Sequence, residues 1–185
     1  MIALDWGLSS FRAFRLAPDG AVIDQRSAPA GILAIADRQF EATLVAQLGD
    51  WLAGTDGRPD RGPIVAAGMI GSRQGWVEAP YVPCPAGVAE LAAQLHRRPT
   101  TLAGDVWFVP GASWSTETAI DVMRGEETQI VGGARGARPR QRVAVSARHA
   151  QQMGARRGRP NPPIPHLHDR RAVRGCCANT AFSAD

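Results

Sequence analysis

The sequence predicts an α/β fold in which a mixed sheet is flanked by helices and followed by a disordered tail rich in Arg and Pro. Three observations lead to this prediction. Short apolar runs, such as residues 64–67 and 106–109, are typical of buried strands. Apolar side chains recur at helical spacing in residues 37–53. In residues 133–185 this periodicity ends and arginines and prolines dominate, which indicates disorder.

The composition indicates one ordinary domain. A chain of 185 residues is long enough to bury a sizeable hydrophobic core. No apolar run approaches the roughly 18 residues that cross a bilayer, and Asp5 interrupts the N-terminal run that a signal peptide would need. We therefore expect a cytoplasmic protein with no membrane partner. The sequence carries no signal for an oligomeric state.

The charge of the chain changes sign near Gly132. Up to Val131 there are 10 Arg against 15 Asp and Glu, which gives a net charge of −5. From Gly132 onward there are 11 Arg against 2 acids, which gives +9. A step of this size marks a boundary. It predicts a domain in residues 1–132 and a separate Arg- and Pro-rich tail in residues 133–185.

The N-terminal residues 1–16 predict a hairpin of two strands around a tight turn, M-I-A-L-D-W-G-L-S-S-F-R-A-F-R-L. Gly7 lets a ligand approach the main chain, and Ser9 and Ser10 offer hydroxyl and N–H donors. Asp5, at the strand end, can hold Mg²⁺ directly or through water. The hairpin therefore fits phosphate binding, and it equally fits an ordinary turn that faces solvent.

The next segments predict a strand–helix–strand crossover. Residues 21–28 predict a third antiparallel strand, so that the first three strands form a meander. Residues 37–53 predict an amphipathic helix capped by Asp37. Residues 63–67 then predict a buried strand parallel to the first, reached by a right-handed crossover. A second helix is predicted in residues 88–97.

Residues 68–76, G-M-I-G-S-R-Q-G-W, follow this buried strand, at the edge where open α/β sheets bind ligands. Arg73 can pair with a carboxylate or a phosphate through two parallel hydrogen bonds. The alternative is a Gly-rich connector in which Arg73 is solvated and Trp76 packs in the core. The three prolines in residues 78–87 predict an extended, rigid loop.

Residues 121–130, D-V-M-R-G-E-E-T-Q-I, predict a helix that starts after Gly125. Glu126 and Glu127 would then lie in its first turn, where the helix dipole stabilises negative charge. A functional interpretation is also open, in which Glu126 and Asp121 face the hairpin across a cleft and a carboxylate acts as general base.

These segments together resemble the bacterial 2-dehydro-3-deoxygalactonokinases in order and spacing. The motifs are D-W-G-L-S-S-F-R-A-F-R-L at residues 5–16, G-I-L at 31–33, G-M-I-G-S-R-Q-G-W-V-E-A-P-Y-V-P-C-P-A-G at 68–87 and D-V-M-R-G-E-E-T-Q-I at 121–130. The resemblance covers residues 1 to about 132. It departs from the family at Leu8, where members typically carry threonine.

The resemblance implies an actin-like (ribonuclease H-like) N-terminal lobe and the activity of a sugar-acid kinase. The reaction would be ATP-dependent phosphorylation of 2-dehydro-3-deoxy-D-galactonate to its 6-phosphate, in D-galactonate catabolism. ATP and the sugar acid would be the small-molecule partners, with Mg²⁺ beside the nucleotide. Such chemistry depends mainly on positioning and on stabilisation of charge.

The resemblance also implies a role for each stretch. The nucleotide phosphates would contact the hairpin through Asp5, Gly7, Ser9, Ser10 and Arg12. Mg²⁺ would be held by Asp5. The sugar acid would bind the second stretch through Ser72, Arg73, Gln74 and Trp76, with its carboxylate on Arg73. The general base would be Glu126, with Asp121 in reserve.

Two further motifs of the family, G-T-H-S-K-W and T-G-E-L-F, are absent from the tail as it is read. Permissible codons for residues 148–154 are CGG-CAC-GCA-CAG-CAA-ATG-GGN, and the same bases read one position later encode G-T-H-S-K-W. The tryptophan is fixed, because Met153 and Gly154 require ATG-GGN. Residues 167–174 can encode F-M-T-G-E-L-F in the same shifted frame.

These shifted motifs predict a one-base insertion or deletion near codons 132–142, in the gene or in its sequence record. The tail would then be out of frame, and the chain would lack the second phosphate motif and the second lobe. Since charges from both lobes hold the transition state, we expect this truncated chain to be inactive. The main alternative is a remnant that binds ligands without catalysis, or an unfolded product that exposes the surface its missing half should cover.

Two other interpretations of the tail remain open. Its arginines can bind nucleic acid through phosphate contacts, although it lacks the interleaved aromatic residues and the reading module of such proteins. A zinc site is the other interpretation, with spacings that differ from the usual pattern. Its ligands would be His166, His168, Cys176 and Cys177.

Overall fold

A computed structural model of the chain describes residues 1–53, 62–102, 104–115 and 120–136. The helices and strands in these ranges are, in chain order, β1 (Ile2–Trp6), β2 (Phe11–Leu16), β3 (Val22–Ala28), α1 (Phe40–Ala53), β4 (Ile64–Ala67), β5 (Tyr81–Pro83), α2 (Val88–Ala93), β6 (His96–Arg98), β7 (Val106–Phe108), β8 (Gly111–Ser115), β9 (Ile120–Met123) and α3 (Glu126–Gly136). The predictions made for the tail beyond residue 136 lie outside the described residues.

The larger sheet has the strand order β3-β2-β1-β4-β7-β6. Strands β1, β2 and β3 pair antiparallel, so the predicted meander is confirmed. β4 is parallel to both β1 and β7, which confirms the predicted parallel strand after the first helix. The predicted α/β class with a mixed sheet is therefore correct.

The core is built around a row of aromatic side chains. Trp6 meets the rings of Phe11 and Phe40 edge-on, at centroid distances of 4.9 and 5.9 Å. Phe40 stacks on Trp76 at 6.2 Å, and Trp76 meets Phe108 edge-on at 5.8 Å. Aromatic pairs at such distances add to the free energy gained by burying apolar surface. The row fixes α1 and the turn after β4 against the sheet.

The first helix begins later than predicted. Two 3₁₀ turns, Ile32–Ala34 and Ala36–Arg38, precede α1, and Asp37 and Arg38 have φ angles of 49° and 56°. Asp37 therefore does not serve as the predicted cap of a helix that starts beside it. In this conformation the Arg38 guanidinium donates to Gly75 O, in the turn that follows β4.

A second sheet, in the order β5-β8-β9, was not predicted. The Pro-rich segment is extended as expected, but Tyr81–Pro83 pairs in parallel with β8 rather than forming only a loop. Pairing between β8 and β9 is antiparallel. Strands of three to five residues carry too few alternating positions for a reliable sequence signal.

The second predicted helix ends at Ala93, and His96–Arg98 forms an edge strand instead of its last turn. Arg97 pairs with Asp105 and lies over the Trp107 ring, with 6.0 Å between guanidinium carbon and ring centroid. These contacts with the β7 region outweigh the local helical pattern. The predicted start of the third helix after Gly125 is confirmed by α3.

No helix within the described ranges is long and apolar enough to cross a membrane.

Candidate active site

Three backbone segments meet at Gly68, directly after β4. A Cβ placed on Gly68 would lie 2.8 Å from Trp6 O, at the end of β1. A Cβ placed on Gly125, in the turn before α3, would lie 3.0 Å from Gly68 Cα. Asp5 and Ala67 are register partners in the parallel β1–β4 pair. The structure thus brings together the three stretches that the sequence marked as candidate sites.

The hairpin turn is held open by main-chain contacts. The carbonyls of Gly7 and Leu8 accept hydrogen bonds from Ile32 N and Leu33 N at 3.0 and 3.1 Å. A Cβ on Gly31 would lie 2.3 Å from Leu8 O, so only glycine allows this approach. In the part of the chain that the structure describes, the N–H groups of residues 8–10 donate to no acceptor. Successive free N–H groups in a turn form a concave site for an anion.

Asp5 and Arg12 face each other across the hairpin as register partners and form an ion pair through Asp5 Oδ2. The Arg12 side chain is half exposed, so its other N–H groups can reach a ligand. Asp5 Oδ1 accepts no hydrogen bond from any described residue. One carboxylate oxygen, completed by water and phosphate oxygens, is a donor set that Mg²⁺ accepts. Residues 1–53, 62–102, 104–115 and 120–136 contain no cluster of three or more metal-ligating side chains.

The turn of residues 68–76 separates its side chains into two groups. Ser72 is buried, and its hydroxyl donates to Met69 O at 2.7 Å. Trp76 is buried in the aromatic row. Arg73 and Gln74 are exposed, and neither makes a hydrogen bond to another described residue. Arg73 and Gln74 are therefore the two predicted substrate contacts that are free to meet a ligand.

The two carboxylates in the first turn of α3 accept hydrogen bonds from the backbone just before the helix. Glu126 Oε2 accepts from Arg124 N at 3.0 Å, while both Glu127 oxygens accept from Gly125 N at 2.9 and 2.7 Å. Glu127 is buried, and the burial raises the pKa of its carboxyl because it penalises the charged form. Asp121 lies apart, exposed in β9 opposite Trp114.

Sequence reasoning missed Arg124 and Tyr81. Arg124 is only 7% exposed, and its guanidinium carbon lies 4.2 Å from the centroid of the Tyr81 ring. Its Nη2 donates to Ala79 O at 2.7 Å. The side chain thereby ties the turn before α3 to the start of β5. No local pattern distinguishes an arginine that will be buried from one that will be solvated, so the sequence alone gave no signal.

Comparisons with known proteins agree on one family. The model of the family described as 2-keto-3-deoxy-galactonokinase matches residues 5–159. A Rhizobium meliloti (strain 1021) protein assigned as 2-dehydro-3-deoxygalactonokinase DgoK1 is 39% identical over 132 residues, which is 71% of this chain and 41% of that protein. The Escherichia coli (strain K12) 2-dehydro-3-deoxygalactonokinase is 33% identical over 154 residues, 83% of this chain and 49% of that protein.

A solved structure is similar as well. The crystal structure of a protein assigned as a 2-dehydro-3-deoxygalactonokinase from Sinorhizobium meliloti has a TM-score of 0.64 and 37% sequence identity. The similarity covers 74% of this chain and 44% of that one. The chain thus spans less than half the length of the relatives it matches. The family match runs to residue 159, further than the resemblance that the motifs carried to about residue 132.

Proposed function

The chain belongs to the 2-keto-3-deoxy-galactonokinase family, and from this premise we propose that it supplies the phosphate- and acceptor-binding lobe of a sugar-acid kinase. The reaction is the ATP-dependent phosphorylation of 2-dehydro-3-deoxy-D-galactonate at its 6-hydroxyl. The observation that carries the proposal is the meeting of Trp6, Gly68 and Gly125 backbones, because it joins a phosphate hairpin, an acceptor turn and a carboxylate at one edge of the sheet.

The hairpin binds the nucleotide phosphates. The free N–H groups of residues 8–10, with the hydroxyls of Ser9 and Ser10, donate to phosphate oxygens, and Gly7 keeps the main chain accessible. Arg12 adds positive charge. Asp5 would hold Mg²⁺ through Oδ1 or through water. Mg²⁺, when bound, neutralises charge that develops on the transferred phosphoryl group.

The turn of residues 68–76 binds the sugar acid. Arg73 pairs with the carboxylate, and Gln74 donates to hydroxyls or to the 2-keto oxygen. Ser72 shapes the turn through its bond to Met69 O, and Trp76 supports it from the core. Arg73 and Gln74 are exposed whereas Ser72 and Trp76 are buried, which supports giving ligand contact to the first two and a structural role to the others.

The base in this proposal is Glu126, with Asp121 as the reserve candidate. Glu126 follows Gly125, which touches Gly68, whereas Asp121 lies five residues before Glu126, in β9. One Glu126 oxygen accepts from Arg124 N, and this bond fixes the carboxylate while Oε1 remains to accept the proton of the attacking hydroxyl.

Three finer proposals complete this function. We propose an actin-like (ribonuclease H-like) lobe, because an antiparallel meander followed by parallel strands supports that fold. We also propose that residues 133–185 are read out of frame, which is supported by the two family motifs in one shifted frame. We also propose that the reaction takes place in the cytoplasm, because it uses ATP.

The experiment compares two products of the coding DNA. One is the 185-residue chain, and the other is the product of a gene whose frame is restored by one base near codons 132–142. ADP release is measured with ATP, Mg²⁺ and 2-dehydro-3-deoxygalactonate. We expect acceptor-dependent ADP release from the restored product and none from the 185-residue chain.

Each part of the proposal can fail separately. A shifted frame that closes soon after the two motifs overturns the frame proposal. A restored product that is folded but does not phosphorylate this acid overturns the function. Turnover by the 185-residue chain at the rate of the restored product overturns the proposed inactivity and leaves the kinase function intact.

A further inference from the structure

Arg124 carries a positive charge that no described acid neutralises. The ion pairs within the described ranges join Arg12 to Asp5, Arg26 to Asp50 and Arg97 to Asp105. Arg124 instead lies buried, with Nη2 on Ala79 O and with Nη1 lacking any hydrogen-bond partner among these residues. A buried charge without a counterion is costly, so it is uncommon where no ligand supplies the opposite charge.

The unpartnered Nη1 points at the acceptor turn. A Cβ on Gly71 would lie 3.1 Å from Nη1, closer than most real contacts allow. Gly71 immediately precedes Ser72 and Arg73, the residues assigned above to the sugar acid. The buried charge of Arg124 therefore lies directly against this turn, where shielding from solvent strengthens its electrostatic effect.

Tyr81 contacts the buried Arg124 side chain and is itself partly exposed to solvent. A Cβ placed on Gly111 would lie 2.5 Å from Tyr81 Cε1, so the ring packs closely on this glycine, and the Arg124 guanidinium carbon lies 4.2 Å from the ring centroid. Arg124 Nε donates to the Tyr81 hydroxyl oxygen at 3.3 Å. The phenol proton is then free to be donated elsewhere. Because Tyr81 is 42% exposed, a ligand can accept a hydrogen bond from this O–H group.

We propose that Tyr81 binds the carboxylate of the sugar acid through its hydroxyl, and that Arg124 is the positioning residue that orients the phenol and supplies the charge beneath it. This inference rests on the proposed function and adds a second contact to the carboxylate besides Arg73. A carboxylate oxygen accepts the phenol hydrogen bond, and the neighbouring cation strengthens it. An uncharged sugar lacks the oxyanion and gains nothing from the pair.

Tyr81 is the single tyrosine of the chain, so 3-fluorotyrosine labelling gives one ¹⁹F resonance at this position. The labelled 185-residue chain is titrated with 2-dehydro-3-deoxygalactonate, and D-galactose is the uncharged control. We expect a saturable shift with the acid and none with the sugar. A signal that ignores the acid, or that moves equally with both, overturns the inference.

Matched arginine variants test the role of Arg124. Arg26 also stacks on an aromatic ring, at 4.4 Å from the Trp51 centroid, and donates to a backbone carbonyl, but it pairs with Asp50. We expect Arg124→Met to raise the concentration of acid at the midpoint of the ¹⁹F titration roughly tenfold or more. Arg26→Met should leave this midpoint unchanged. Equal effects of both variants would assign Arg124 a purely structural role.

Tyr81→Phe keeps the ring stack and removes only the hydroxyl, so it covers the case in which Arg124→Met does not fold. Calorimetry should show a roughly tenfold loss of affinity for the acid. Unchanged affinity contradicts the inference. The inference can fail while the proposed function stands, because the restored kinase would then phosphorylate the acid with an unaltered KM in Tyr81→Phe. Conversely, a saturable ¹⁹F shift without any phosphorylation sinks the function alone.

Discussion

Gly125 and Gly68 lie back to back, with φ angles of 104° and 98°, and a Cβ on Gly125 would be 3.0 Å from Gly68 Cα. Both residues occupy backbone conformations that side chains disfavour, and the contact itself leaves no room for one. The turn before α3 therefore rests directly on the main chain after β4. The contact between the two glycines therefore sets where the first turn of α3, with Glu126 and Glu127, lies relative to β4.

Gly125→Ala should destabilise the fold by about 1–3 kcal/mol, because the new Cβ adds backbone strain and a close contact with Gly68. Urea unfolding gives the free energy. Gly20→Ala is the control for strain alone, since Gly20 has a φ of 87° but no atom within 4 Å of its Cβ position. If both substitutions cost the same, the contact with Gly68 does not constrain the turn.

Gly49 provides a second control for the urea measurement. Gly49 lies inside α1, and its Cβ position has no neighbour within 4 Å. Gly49→Ala should stabilise the protein by about 0.5–1 kcal/mol, because alanine has the higher helix propensity. A loss of stability there would mean that the urea assay responds to something other than these local effects.

Glu127 predicts a pH dependence of stability. Burial raises the pKa of its carboxyl above the ordinary value of a glutamate, so the folded state binds this proton more tightly than the unfolded state. The free energy of unfolding should therefore fall as pH rises from the unfolded pKa through the higher folded pKa. Glu127→Gln removes the titrating group, so the urea midpoint should change less with pH across this window. An equally steep profile in the variant would assign the dependence to other groups.

The sequence predicts most of the larger sheet, because β1, β2 and β4 carry clear alternating or continuous apolar patterns, but it assigns the edge strand β6 to a helix. It also predicts the start of α3, from Gly125 and the two acids that follow it. The second sheet escaped prediction since β5, β8 and β9 are short and held by pairing with one another. The three stretches that the sequence marked as candidate sites meet at Gly68, and the roles given to their side chains stay predictions. The buried partners of this site, Arg124 and Glu127, become visible only through tertiary contacts.

Trp76 and Arg73 lie in the same turn, but Trp76 packs in the core and Arg73 is exposed. Trp76→Ala should cost about 3–5 kcal/mol, because it opens a cavity between Phe40 and Phe108. Arg73→Ala should change stability by less than about 0.5 kcal/mol, since the side chain is exposed. Urea unfolding of both variants measures this difference. If Arg73→Ala proves as destabilising as Trp76→Ala, Arg73 is part of the structural framework and its assignment to the substrate is wrong.

Arg12 and Arg15 offer a matched pair for the nucleotide. Both are exposed arginines of β2, but only Arg12 lies opposite Asp5 at the turn end. In the frame-restored kinase, Arg12→Met should raise the KM for ATP roughly tenfold or more through loss of a charge-assisted contact. Arg15→Met removes the same charge from the same strand and should leave the KM near its original value. Parallel increases in both variants would indicate a general electrostatic effect rather than a phosphate contact.

Glu126 and Asp121 differ in where they lie, and their amide variants test which of them is the base. Glu126→Gln preserves the acceptor for Arg124 N but cannot take a proton, so kcat of the restored kinase should fall roughly 10²–10⁴-fold. The KM for the sugar acid should change little. Asp121→Asn should keep kcat within a few-fold, because Asp121 is bound to Val122 N in β9, away from the Gly125 turn. The opposite pattern would transfer the role to Asp121 and would require β9 to move toward the hairpin.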